Sequence, residues 1–166
     1  MNSAYRLKEY HISAIHDQDE KSAYAKTVLE SLPEWFGNKE ALEDYVKGVR
    51  DLPFWAAMDE KGNCLGFYSA RIHYGHTGDI YVCGVRKDCH RMGVGGALYG
   101  EVERFFLEKG CKYAMVETLS EKANYAPYEK TRLFYESVGF EPLITLTEMW
   151  DEENPCLIMV KFLSMQ

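Results

Sequence analysis

Val82-Cys83-Gly84-Val85 is followed by seven mostly polar residues, Arg86 to Met92, and then by Gly93-Val94-Gly95-Gly96-Ala97-Leu98. The apolar run reads as the end of a strand. Val94 to Lys109 reads as a helix with Leu98, Val102, Phe105 and Phe106 on one face. A strand thus hands the chain through a glycine-rich turn into the first coil of a helix. That coil carries N–H groups with no intrahelical partner and the positive end of the helix dipole, so it holds anions. Glycines there let a phosphate approach the backbone. The stretch predicts a cradle for a diphosphate.

Working outward, Gly110 ends the helix and Tyr113 to Leu119 is a short apolar strand. A helical crossover between two strands requires that they run parallel. Upstream, Tyr5 to His11 reads as a strand, and Asp17 to Leu32 as a helix broken by Pro33. Asn38 caps a second helix over Lys39 to Arg50. Phe54 to Met58, Cys64 to His73 and Asp79 to Val85 are strands, the first two joined by the turn Glu60-Lys61-Gly62-Asn63. Tyr128 to Val138 is a helix stopped by Gly139, and Phe140 to Trp150 and Cys156 to Leu163 close the chain as strands. The fold class expected is α/β. It has a mixed, mostly antiparallel sheet of six to seven strands, a central parallel pair, and helices on both faces.

With 166 residues, the chain suits one domain over residues 1–166. No apolar run approaches the roughly 18 residues of a membrane span, and Met1 to Lys8 lacks an apolar signal core. A cytoplasmic protein without membrane partners is expected. A net charge of −7 with no basic face excludes the usual nucleic-acid binder. The five cysteines are scattered, with no C-x-x-C pair, which argues against a disulfide framework and a structural metal site.

Two familiar glycine motifs fit the cradle poorly. A nucleotide P-loop needs Lys and Ser or Thr after the last glycine, where Ala97-Leu98 stand. A dinucleotide fingerprint needs a tight turn straight off the strand and a third glycine where Leu98 sits, although Glu117 falls where its ribose-binding acid would. In contrast, His90-Arg91-Met92-Gly93-Val94-Gly95-Gly96-Ala97 resembles the Q/R-x-x-G-x-G/A signature of the GCN5-related N-acetyltransferases (GNAT). Phe134-Tyr135-Glu136-Ser137-Val138-Gly139-Phe140 resembles that family's F/L-Y-E-x-x-G-F stretch, about 40 residues further on. The element order is also similar. The run Tyr128 to Tyr135 and the ending Asn154 to Lys161 resemble small bacterial members.

The resemblance implies an acyl-CoA N-acyltransferase fold with a splayed central strand pair, acetyl-CoA as cofactor, and acetyl transfer directly to a primary amine. It implies that Arg91, Met92, Gly93, Val94, Gly95, Gly96 and Ala97 hold the pyrophosphate. His90 stands where the family has Gln or Arg, and Tyr128 where it often has a cofactor-binding Asn. It implies that Cys83, Gly84 and Val85 form the edge that pairs with the pantetheine arm, with the Cys83 N–H nearest the thioester. Tyr135 matches the family's tyrosine that faces the sulfur, and so implies the acid. Asp79 lies four residues before Cys83, on the same face of its strand. It matches the catalytic glutamate of the histone acetyltransferase branch, and Glu117 is the other candidate base.

Glu34, Trp35 and Phe36 lie between the first two helices, where the family often builds its acceptor wall. An acid beside aromatics suits an amine with an apolar body. Tyr68, Arg71, His73 and Tyr74 are candidates for the same cleft. The expected partner is a small-molecule amine: a polyamine, an amino sugar or aminoglycoside, or an amino-acid-like compound. Two alternatives remain open: a protein or peptide N-acetyltransferase, and a non-catalytic acyl-CoA sensor. The resemblance also admits a homodimer through the final strands.

Overall fold

A computed structural model describes residues 9–164. In chain order the elements are β1 (Tyr10–Ala14), α1 (Gln18–Glu30), α2 (Lys39–Gly48), β2 (Phe54–Asp59), β3 (Cys64–His73) and β4 (Thr77–Val85). They continue with α3 (Val94–Glu108), β5 (Tyr113–Leu119), α4 (Ala126–Ser137), β6 (Glu141–Asp151) and β7 (Asn154–Phe162). Three short 3-10 turns lie at Val49–Asp51, Lys87–Cys89 and Glu121–Ala123. The strands form one mixed sheet in the order β1-β2-β3-β4-β5-β7-β6, in which β4 and β5 are parallel. This is the acyl-CoA N-acyltransferase fold. Among the described residues no helix is long and apolar enough to cross a membrane.

The chain divides into two units that alternate along the sequence. The first takes the described residues up to Ser69 together with Val82–Glu101. Here Asp17 caps α1 by accepting from the Glu20 N–H at 2.9 Å, and Asn38 caps α2 by accepting from Ala41 at 3.1 Å. Each cap satisfies a donor that the helix itself cannot. The buried Lys21 reaches from α1 to donate its Nζ to the Leu52 carbonyl at 2.7 Å. Phe54 stacks on Phe67 with ring centroids 5.0 Å apart, and β2 is buried from Phe54 through Met58. A side chain at Gly84 would stand 3.1 Å from Leu32 and 3.2 Å from Val28, so glycine lets the apolar face of α1 lie close to β4.

The second unit takes Ala70–Tyr81 together with the described residues from Val102 onward. The parallel register runs from Thr77↔Tyr113 to Ile80↔Val116 and stops there, while β4 continues to Val85 and β5 to Leu119. Phe106 of α3 lies over Gly78, where a Cβ would come within 2.5 Å of the ring. β7 pairs antiparallel along all of β5, from Tyr113↔Phe162 to Leu119↔Cys156, and β6 pairs outside it.

Some boundaries differ from the sequence reading. The first strand is Tyr10–Ala14, fixed by its antiparallel pairing from Tyr10↔Asp59 to Ala14↔Trp55; Tyr5 to Lys8 lie outside the described residues. α4 starts at Ala126, because Pro127 occupies the first turn, where its missing N–H is not needed. The second helix ends at Gly48, and its last residues tighten into a 3-10 turn. The insertion of β7 between β5 and β6 has no signature in the local pattern.

Candidate active site

The cradle belongs to the first unit. After β4 the chain makes the 3-10 turn Lys87–Cys89, with Cys89 buried, then bends through left-handed backbone at Arg91 (φ 73°) and Gly93 (φ 77°). The Gly93 carbonyl accepts from the Ala97 N–H at 3.0 Å, which opens α3. The N–H groups of Val94, Gly95 and Gly96 therefore precede the first intrahelical bond. Where a Cβ would stand on Gly93 or Gly96, no atom lies within 4 Å. Gly93 and Gly96 thus present bare backbone to open space, while the Val94 side chain between them is buried. Arg91 is exposed and makes no ion pair among the described residues.

His90 is committed differently from a free phosphate ligand. Its Nε2 lies 2.7 Å from the Val85 carbonyl, so this nitrogen must carry the hydrogen and donate it. Only Nδ1 is left to face a ligand, an acceptor in the neutral ring and a donor in the protonated one, so the fixed donors to an anion here are backbone N–H groups and Arg91. Trp35 packs edge-on against the same imidazole, with centroids 6.1 Å apart.

Glu34, Trp35 and Phe36 also lie in the first unit, and the carboxylate expected to meet an acceptor amine has a partner of its own. Glu34 accepts a hydrogen bond from Lys87 Nζ, and that bond holds its pKa below the usual value. The Lys87 ammonium stands 5.8 Å from the Trp35 ring centroid, and Phe36 packs edge-on against Tyr45 at 6.1 Å. The segment is tied to the turn that precedes the cradle. Tyr68 is buried, whereas Tyr74, in a turn at φ 54°, is 94% exposed.

The second unit holds a cluster of opposite character. The Asp79 side chain is only 3% exposed, and its Oδ2 accepts from Arg71 Nε at 2.9 Å and engages His73 Nε2 at 2.8 Å. Arg71 and His73 are two apart on β3, so they share a face. The Arg71 guanidinium sits 4.9 Å from the Tyr81 ring centroid. Asp79 is in register with Met115, which places Glu117, two residues on, on that same face of the sheet. Glu117 is half-buried, and its pKa is raised: desolvation is the main cause, the Asp79 charge adds to it, and Arg71 and His73 oppose it. Sequence reading singled out both carboxylates but not their tie to Arg71 and His73; the alternate spacing of that basic pair was the only signal.

Tyr135 is 5% exposed on α4 and packs edge-on against Phe134 and Phe140, at 5.7 and 5.9 Å. Thr118, which sequence reading passed over, is buried with no hydrogen bond to its Oγ1 among the described residues. Cys83 is half-buried on β4. None of the five cysteines is in a disulfide, and burial pushes the thiols of Cys64 and Cys156 up to about 12 and about 11, so neither is a ready nucleophile. A cleft of about 430 Å³ among Glu121, Arg132, Glu136, Pro142, Ile144 and Leu157 contains none of the expected site residues.

With this geometry in hand, comparison with known proteins is informative. The profile of the acetyltransferase (GNAT) family matches residues 15–140. A mycothiol acetyltransferase from Arthrobacter sp. (strain FB24) is 33% identical over 70 residues, 39% of this chain and 22% of the relative. A second, from Saccharopolyspora erythraea, is 36% identical over 63 residues, 38% of this chain and 21% of the relative. The chain therefore aligns with about a fifth of the length of these relatives. Among solved structures, an aminoglycoside 6'-N-acetyltransferase complexed with coenzyme A superposes with a TM-score of 0.74 at 15% identity, over 94% of this chain and 98% of that one. At that identity the likeness speaks for the fold alone.

Proposed function

We propose, from the premise that this chain belongs to the acetyltransferase (GNAT) family, that it transfers an acetyl group from acetyl-CoA directly to a primary amine of a small molecule. The observation that carries the reading is the bare start of α3, where Gly93 and Gly96 leave open the space that side chains would fill. A diphosphate fits there by charge and by shape. It accepts from the N–H groups of Val94, Gly95 and Gly96, gains the helix dipole, and meets the unpaired Arg91. His90, Met92 and Ala97 complete the turn, and Cys83, Gly84 and Val85 offer a strand edge to the pantetheine arm.

When bound, acetyl-CoA supplies a thioester open to attack by a neutral amine. In this reading the Cys83 N–H donates to the charge that develops on the carbonyl oxygen. Tyr135 holds a proton for the departing sulfur: phenols ordinarily titrate near pH 10 and thiols near 8.5, so the transfer is only slightly uphill. Asp79 and Glu117 outnumber the single Arg71 guanidinium in their cluster, which favours an incoming ammonium and gives its proton a route out. Because Glu34 is paired with Lys87, Glu34, Trp35 and Phe36 wall the acceptor rather than anchor its charge. A small acceptor agrees with the name of the mycothiol acetyltransferases that part of this chain matches. Five cysteines outside any disulfide suit the reducing cytoplasm.

The test is thiol release from acetyl-CoA against a panel of polyamines, aminoglycosides, amino sugars, amino acids and a lysine peptide. Turnover confined to one class of small amine is the expected result. Turnover on the peptide alone overturns the small-molecule reading. Calorimetric binding of acetyl-CoA without turnover on any amine overturns the enzyme reading and leaves the cradle.

A further inference from the structure

The proton-accepting group of this site is open to a sharper assignment, one that rests on the acetyl-transfer reading. Asp79 is poorly placed to touch an acceptor. Its side chain is 3% exposed, and its Oδ2 is engaged by both Arg71 and His73. His73 is placed the opposite way: its side chain is 40% exposed, and one ring nitrogen is held 2.8 Å from Asp79 Oδ2. Asp79 is an acceptor, so Nε2 carries a ring hydrogen, and, in the neutral tautomer this selects, Nδ1 keeps its lone pair. Among the described residues no hydrogen bond is made to Nδ1. We propose that His73, oriented by Asp79, is the general base that takes the proton of the acceptor amine at Nδ1.

The arrangement has the logic of a carboxylate-oriented imidazole, in which the buried acid fixes the tautomer and offsets the charge that forms. In the step, the amine nitrogen gives one proton to the Nδ1 lone pair and keeps the electron pair that forms its new bond to the acetyl carbon. The C–S bond breaks, its electron pair leaves with the CoA sulfur, and that sulfur takes a proton from Tyr135. The ring becomes an imidazolium facing Asp79, and loss of the Nδ1 proton to water restores it. The charged groups that face the ring are Arg71 on its own strand, Asp79 on β4 and Glu117 on β5. The raised pKa of Glu117, caused first by burial, leaves that carboxylate easier to protonate and so moderates the cluster's negative charge. Asp79 is a positioning residue in this scheme, and Arg71 holds Asp79.

The experiment is the pH dependence of kcat/KM for the wild type and His73→Gln, with acetyl-CoA affinity measured by calorimetry on both. Glutamine keeps an N–H donor for Asp79 but does not titrate. A base must be unprotonated, so wild-type kcat/KM falls as pH is lowered. His73→Gln is expected to lose about 10²–10⁴-fold in kcat/KM, to lose that acid limb, and to bind acetyl-CoA as the wild type does. Retention of the wild-type acid limb in His73→Gln, at any rate, overturns the assignment while the acetyl-transfer reading stands. Absence of thiol release from the wild type with every amine overturns that reading and the assignment with it.

Discussion

The cradle and the carboxylate cluster are built in opposite ways. The cradle is one continuous run, His90 to Ala97, in which the proposed binding rests on backbone N–H groups and missing side chains. The cluster gathers Arg71 and His73 from β3, Asp79 from β4 and Glu117 from β5, and every contribution is a side chain. A backbone site tolerates sequence change as long as nothing fills it. A side-chain site depends on strand register, because a slip of one residue sends each group to the other face. Changes in the cradle are therefore expected to alter binding without altering stability, and changes in the cluster to alter both.

The largest effect sharpens the contrast from outside both regions. Tyr135→Phe is expected to lower turnover about 10²–10⁴-fold with acetyl-CoA affinity unchanged. Steady-state kinetics and calorimetry check it, and unchanged turnover removes Tyr135 as the acid. Gly96→Leu tests the cradle directly. Among the described residues, the new Cβ meets no atom within 4 Å beyond its chain neighbours and the backbone of its own helix, and leucine favours helix over glycine. Acetyl-CoA affinity should fall about a hundredfold, near 3 kcal/mol, while the melting temperature holds or rises. Retained affinity would break the assignment of the diphosphate to this turn.

Asp79→Asn tests the other side of the comparison. It keeps the shape but removes the charge that receives Arg71 and His73. A loss of about 1–3 kcal/mol of stability is expected, read from urea unfolding. The lower end applies because Arg71 is part-exposed. No loss would mean that the cluster is not held by its carboxylate.

A smaller effect belongs to Glu117. Its folded-state pKa is raised, so the native state binds the extra proton between the unfolded and folded values. Wild-type stability then falls as pH rises through that window. Glu117→Gln should be the more stable protein above the window and lose its advantage below it. Urea unfolding at pH 4 and pH 8 checks the sign, and an advantage confined to the acid side contradicts it.

The two regions also differ in how far the sequence disclosed them. The glycine run, the cap Asn38, the limits Cys64–His73 and Tyr113–Leu119, and the parallel β4–β5 pair were all legible. Each follows from local dihedral preference, hydrophobic period or the length of a crossover. The helix stop at Gly139 was legible for the same reason, whereas the Phe134 to Phe140 stretch stood out only through its family resemblance. What Glu34 and His90 do was not. Glu34 lies 53 residues from Lys87, and His90 turns its Nε2 back onto Val85.

By itself the sequence determined an α/β chain with a backbone anion cradle at the start of its central helix, because glycine and a helix N-terminus are local facts. Only the tertiary structure decided that β7 enters between β5 and β6, that Asp79 is buried against Arg71 and His73, and that among the described residues His73 makes no hydrogen bond through Nδ1. Those outcomes depend on pairing between strands far apart in the chain. Alternating side chains fix the faces of each strand, but no local pattern fixes which strands become neighbours.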